Sequence, residues 1–221
     1  MNHTALIFDL DGVLVDTAKY HYLAWKALAD ELGIPFSEKE NERFKGVSRN
    51  RCMEILLELG NRTMSGDEQA AYCDRKNSTY ISYIEKMDES EILPGAKEFL
   101  EMGKANGYRI ALGSASKNTA LILERLGLTA LFDAVIDGTK VTRAKPDPAV
   151  FLQGAAALGV SPGKCIVFED AVAGIQAAHA GGMTAVGIGS KETLPKADLN
   201  LPGFLGITIQ QIEEKLAQNR I

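Results

Sequence analysis

Cysteine is scarce: Cys52, Cys73 and Cys165 are odd in number, far apart and without C-x-x-C spacing. That excludes a disulfide framework and a cysteine zinc site, and reads as buried thiols in a reducing compartment. No apolar run reaches the length of a membrane span. The apolar start is broken by Asp9 and lacks a basic leader, so a signal peptide is not expected and a cytoplasmic location is. A long basic cluster is also missing, and the net charge is −5. Nucleic acid is therefore not an expected partner, and small anions need a local positive pocket. Repeats and low-complexity linkers are absent, and nothing suggests more than a monomer. The remaining composition is that of an ordinary globular chain with enough apolar residues for a real core.

The rest of the chain is organised around residues 5–15, ALIFDLDGVLV. Ala5, Leu6, Ile7 and Phe8 form an apolar run without helical period, as in a strand buried on both faces. Two carboxylates follow, Asp9 and Asp11. In extended geometry the i, i+2 spacing points both the same way. Gly12 then permits a tight turn or a close approach to a ligand. Acids converging beside a buried element repel each other, and a hard divalent cation is the obvious compensation. The plain alternative is an acidic turn that ends a strand.

From residue 16 to residue 88 the pattern is helical. Asp16 or Thr17 caps a helix running to Leu32, with Tyr20, Leu23, Ala24, Ala27 and Leu28 as its apolar residues and Gly33 as terminator. Ser37 with Glu40 and Ser65 with Glu68 form capping boxes, and Ser48 is the expected cap of a helix carrying Met53, Leu56 and Leu57. Afterwards strands alternate with helices. Strands are expected at residues 108–113, 134–136, 165–168 and 184–188. Helices are expected to open near Leu93, Thr119, Pro148, Ala173 and Thr208. Alternation of this kind implies a parallel sheet covered on both faces, with the helical block inserted after the first strand.

In an open α/β sheet, ligands sit beyond the carboxyl ends of the strands. Here those ends carry Asp9 and Asp11, then Ser114-Ala115-Ser116-Lys117-Asn118, then Glu169-Asp170, with Lys145 in the turn before a helix. Each has a plain reading: serines cap helices, lysines are solvated, and acids complement helix dipoles. Their joint occurrence at strand ends favours one pocket of acids, hydroxyls, amides and a lysine.

Asp9-Leu10-Asp11-Gly12-Val13, Ser114, Lys145 and Glu169-Asp170, in this order, resemble the four motifs of the haloacid dehalogenase superfamily of phosphotransferases. The helical block resembles its small cap. The likeness covers nearly the whole chain and is loosest from Lys191 onward. Val15-Asp16-Thr17-Ala18, His21, Ala24-Trp25-Lys26-Ala27-Leu28, Lys45-Gly46-Val47-Ser48-Arg49, Arg75-Lys76-Asn77 and Ser114 to Asn118 are similar to the superfamily's sugar phosphomutases.

The resemblance implies an α/β fold with a Rossmann-like parallel-sheet core, residues 1–15 and 89–221, and an inserted α-helical cap, residues 16–88. It implies Asp9 as nucleophile and Asp11 as general acid and base. It also implies Mg²⁺ on Asp9, the Asp11 carbonyl and Asp170, with Glu169 assisting. Ser114, the Ala115 amide and Lys145 would hold the transferring phosphoryl group. Arg49, Ser116, Lys117 and Asn118 would hold a second phosphate, and Lys76 would reach a sugar hydroxyl or the phosphate. Lys45, Gly46, Val47 and Ser48 join the substrate set, as do His21, which could hydrogen-bond Asp11 or substrate, and Trp25, better explained by packing. Thr17 suits a hinge. The implied partners are sugar phosphates: β-glucose 1-phosphate and glucose 6-phosphate, interconverted through β-glucose 1,6-bisphosphate. Two competitors are a sugar-phosphate phosphatase with the same core and a non-catalytic phosphate-binding module. The retention of both aspartates opposes the latter.

Overall fold

A computed structural model describes residues 3–44 and 49–219. The chain forms two compact units, one running to Asp16 and resuming at Met87, the other spanning Thr17–Lys86.

The larger unit is built on one six-stranded, wholly parallel sheet. Its strands are β1 (Ala5–Phe8), β2 (Arg109–Gly113), β3 (Ala134–Ile136), β4 (Cys165–Glu169), β5 (Thr184–Ile188) and β6 (Leu199–Leu201), in the order β3-β2-β1-β4-β5-β6. All four residues of β1 are fully buried, which explains their unbroken apolar run. Alternation assigns them to two layers. Ala5 and Ile7 join a cluster with Val150, Phe151, Val167 and Ile175, under α7 (Ala149–Leu158) and α8 (Val172–Ala180). On the other layer Phe8 stacks on Phe168 at 4.7 Å between ring centres, and Phe99 and Phe204 close an aromatic cluster around them. Phe99 comes from α5 (Ala96–Ala105), which Gly95 starts in the left-handed region, φ 80°. A β-carbon there would collide with the backbone at Phe204 and Leu205.

The smaller unit is helical throughout its described residues: α1 (Ala18–Glu31), α2 (Glu38–Asn41), α3 (Arg49–Leu59) and α4 (Gly66–Ile84). Both capping boxes form as the sequence indicates, Ser37 with Glu40 and Ser65 with Glu68. The unit has its own core of Trp25, Leu28, Phe36, Phe44, Met53 and Leu56 among others.

Two expectations change, and one strand is added. Leu23 and Ala27 are exposed; α1 buries Ala24, Trp25, Leu28 and Ala29 instead, a stripe rotated by about one residue. Extended geometry stops at Phe8, so Asp9 and Asp11 do not share a strand face. The Leu10 carbonyl accepts N–H groups from Val13, Leu14 and Val15 in a tight turn, with Gly12 at φ 74°. β6 is a sixth strand where periodicity gave little sign of one. The expected Ser48 cap lies outside the described residues.

Candidate active site

The strand order reverses between β1 and β4, and at such a switch point the strand ends splay to leave a crevice. Phe8 pairs in register with Phe168, and the Asp9 N–H donates to the Phe168 carbonyl at 3.0 Å. Asp9 and Glu169 therefore leave adjacent strands side by side. Lys145, from the turn before α7, places its ammonium 2.5 Å from Asp9 Oδ1 and 2.5 Å from Glu169 Oε1. The ring of Phe151 lies 4.6 Å beneath that ammonium. The other Glu169 oxygen accepts the Ala171 N–H at 2.8 Å. Gly174 makes the position feasible, since a β-carbon there would overlap the Glu169 carboxyl.

These charges shape one another. Burial alone would lower the Lys145 ammonium, but Asp9 and Glu169 outweigh it and hold it above lysine's usual value. Burial raises Glu169; Lys145 opposes that and Asp9 adds to it. Asp170 keeps a solvent-facing side, yet its carboxyl is pushed up to about 7 by partial burial and then by Glu169, Asp9 and Asp11. One lysine thus faces four acids. Gly12 abuts Asp170 so closely that a β-carbon would overlap its carboxylate. The donor set is entirely oxygen, the chemistry of a hard divalent cation. Among the described residues no three His, Cys, Asp or Glu side chains form a ready-made metal cage. The cation that bridges Asp9 and Glu169 is Lys145, a role beyond the phosphoryl contact that the resemblance implies for it.

At the end of β2, Ser114 is buried and its Oγ accepts the Ser116 N–H at 3.1 Å; Ser116 Oγ accepts the Asn118 N–H at 3.2 Å. The serines thus shape the turn, while each hydroxyl keeps a proton to donate. Ala115 and Lys117 are exposed at the same turn. Gly138, after β3, fits only because it has no β-carbon to strike the Ala115 carbonyl.

Within the helical unit, α1 packs on α4 and brings His21 and Lys76 together. Lys76, only 4% exposed, donates to His21 Nδ1 at 2.9 Å, with its ammonium 5.1 Å from the Trp25 ring and 5.0 Å from the Tyr80 ring. Tyr80 stacks on His21 at 4.1 Å and donates its hydroxyl to the buried Thr17 at 3.3 Å. Trp25 is buried edge-on against Phe44, so its part is to wall Lys76. Arg49, at the start of α3, donates from Nη2 to Asn77 Oδ1 at 2.8 Å. Lys45, Gly46, Val47 and Ser48 lie outside the described residues.

Lys76 is the unusual member, because among the described residues no carboxylate pairs with it. Burial and then Arg49 lower its ammonium to about 7, and burial, Lys76 and Arg49 lower His21 to about 3. For a cation whose folded pKa is depressed, the unfolded chain binds more protons between the two values. Stability therefore rises with pH from about 7 toward the ordinary lysine value. The variant Lys76→Met should remove that slope and raise the melting temperature at pH 6 by roughly 5 °C. Thermal melts from pH 6 to 10 test it; an unchanged slope would contradict the buried charge.

Sequence reasoning missed Phe151 and Gly174. A helical glycine five residues after Glu169 was the one available signal for the latter. It also included Asn77 without giving it a partner.

A family model described as haloacid dehalogenase-like hydrolase matches residues 3–182. A β-phosphoglucomutase of Bacillus subtilis is 41% identical over 98% of this chain and 97% of its own. A crystal structure of a β-phosphoglucomutase from Clostridium difficile, 41% identical, superposes with TM-score 0.88 over 99% of this chain and 98% of its own. A phosphorylated-carbohydrate phosphatase of Thermotoga maritima is 31% identical over 82% of this chain and 83% of its own. The match spans the strand-end acids and the helical insertion alike, and on that extent the chain belongs to the haloacid dehalogenase-like hydrolase family.

Proposed function

We propose that this protein is a sugar-phosphate mutase that interconverts β-glucose 1-phosphate and glucose 6-phosphate through β-glucose 1,6-bisphosphate. The observation that carries the reading is the pairing of two charge sets within one chain. One is an acid cluster gripped by Lys145; the other is a cationic group, Arg49 with Lys76, that has no carboxylate partner among the described residues. A phosphatase needs only the first, whereas a mutase must also hold a second phosphate while the bisphosphate turns round. The full-length likeness to β-phosphoglucomutases supports the same choice.

In this reading the Asp9 carboxylate attacks the phosphorus in line and becomes a phosphoaspartate. Lys145, the Ser114 hydroxyl and the Ala115 N–H take up charge on the phosphoryl oxygens. Asp11 gives and removes the proton of the sugar hydroxyl. Mg²⁺ bound by Asp9, Asp170 and the Asp11 carbonyl, with Glu169 beside them, would screen the repulsion between carboxylate and phosphate. The oxygen donors and the closely seated Asp170 fit such an ion. Arg49, Ser116, Lys117 and Asn118 hold the other phosphate, the first as a forked donor. Thr17, at the boundary of the two units, serves as a hinge, and the helical unit acts as a cap that keeps water from the phosphoenzyme.

Arg49→Ala tests the mutase reading. Isomerisation, assayed with Mg²⁺ and a trace of bisphosphate, should fall by about 100-fold or more, while phosphoenzyme formation from a small acyl phosphate changes by less than about threefold. Rapid phosphate release without isomerisation by the unaltered protein would instead make it a phosphatase.

A further inference from the structure

Arg49 carries five N–H donors and no acceptor, and its aim depends on what fixes the guanidinium plane. Its observed side-chain partner is Asn77 Oδ1, 2.8 Å from Nη2. Asn77 lies on α4 next to Lys76, half-buried, and presents this acceptor across the gap to the start of α3. The thiol of Cys73, one turn earlier on α4, approaches the Arg49 carbonyl at 4.0 Å, so α4 holds both the main chain and the side chain of Arg49. The partner is a neutral amide rather than a carboxylate. It occupies one nitrogen of the fork and leaves the full positive charge, with the remaining N–H groups, for an anion. A carboxylate at position 77 would hold the same hydrogen bond but cancel the charge.

We infer that Asn77 is a positioning residue, which orients the Arg49 guanidinium toward the non-transferring phosphate of a sugar phosphate without neutralising it. The inference rests on the proposed phosphate role of Arg49 and adds to it the element that makes the arginine selective for an anion. Asn77 itself touches no reacting atom. Its loss should therefore appear in affinity and leave the chemical step alone.

The experiment compares Asn77→Ala, Asn77→Asp and Asn77→Gln with the unaltered protein. Steady-state isomerisation, calorimetric binding of β-glucose 1,6-bisphosphate and phosphoenzyme formation from a small acyl phosphate are the readouts. Asn77→Ala should raise KM and the bisphosphate Kd by roughly tenfold, with kcat within about twofold. Asn77→Asp should weaken binding further, by about 100-fold, although it restores the hydrogen bond. Asn77→Gln, which keeps a neutral acceptor, should recover part of the affinity that Asn77→Ala loses. Acyl-phosphate reactivity should not change in any variant. In Arg49→Ala, adding Asn77→Ala should cost almost nothing more, because the second residue acts through the first.

A structural role alone predicts the opposite pattern: Asn77→Asp equal to or better than Asn77→Ala, additive losses with Arg49→Ala, and falling melting temperatures. Any of these would overturn the inference. Should the unaltered protein bind the bisphosphate yet fail to isomerise, the mutase reading falls, and the binding data still decide the role of Asn77. Should it not bind the bisphosphate at all, both fall.

Discussion

Replacing Asp9 by asparagine should reduce turnover by on the order of 10⁴-fold or more, with little change in fold. An amide cannot accept the phosphoryl group as a carboxylate does, yet the substituted side chain would keep an oxygen for Lys145, and the backbone bond to β4 would stay. Removing one of four neighbouring acids also eases the repulsion that raises Glu169 and Asp170. The melting temperature should therefore hold or rise slightly while catalysis disappears. Isomerisation kinetics beside intact-protein mass spectrometry check both halves. The unaltered protein should gain the mass of one phosphoryl group after exposure to an acyl phosphate, and Asp9→Asn should not. An active Asp9→Asn protein would remove the nucleophile from the proposal.

Loss of Lys145 should damage activity severely, though less than Asp9→Asn, and unlike that change it should also destabilise the fold. Lys145→Ala leaves Asp9 and Glu169 facing each other without their cation; both are buried, Asp9 at 8% and Glu169 at 1% exposure. Breaking a buried pair from one side costs about 3–5 kcal/mol. The sign with pH is definite. Because the folded pKa of Lys145 is raised, its contribution is fully present below lysine's usual value and fades as pH climbs through the folded value. In the variant, Glu169, already raised by burial and by Asp9, takes up a proton more readily and so relieves the repulsion, and the deficit should shrink as pH falls. Turnover should drop by about 10³-fold, since both the phosphoryl contact and the set of Asp9 are lost. Denaturant melts at pH 5 and pH 8 separate the two effects; a pH-independent deficit would mean that lost packing on Phe151, not charge, dominates.

What could be read from the chain follows from the range of the forces involved. β1 was legible because burial on both faces leaves an unbroken apolar run, and the capping boxes because they close within a single helical turn. The strand-end rule gathered Asp9, Lys145 and Glu169 from positions up to 160 apart. The partner of Lys145 was not legible, because a lysine in a turn carries no record of which carboxylates a sheet will bring to it. Asn77 was similarly opaque: its partner lies on another helix, and nothing local marks an amide that holds an arginine. Leu23 misled because a helix face shifts by one residue at no cost in periodicity. β6 was hidden by its three-residue length and by Asn200 at its centre.

The central place of β1 bears on how this chain comes to fold. The strand made first is flanked on both sides by partners made much later, β2 beginning at Arg109 and β4 at Cys165. During synthesis ALIF must wait with both edges bare until about half of the chain has emerged, and with one edge bare until three-quarters has. Long-range parallel pairing of this kind is slow and leaves an adhesive segment exposed. The intervening helical unit, whose contacts are local, can form in the meantime, so the nascent protein would leave the ribosome with its accessory part finished and its sheet still open.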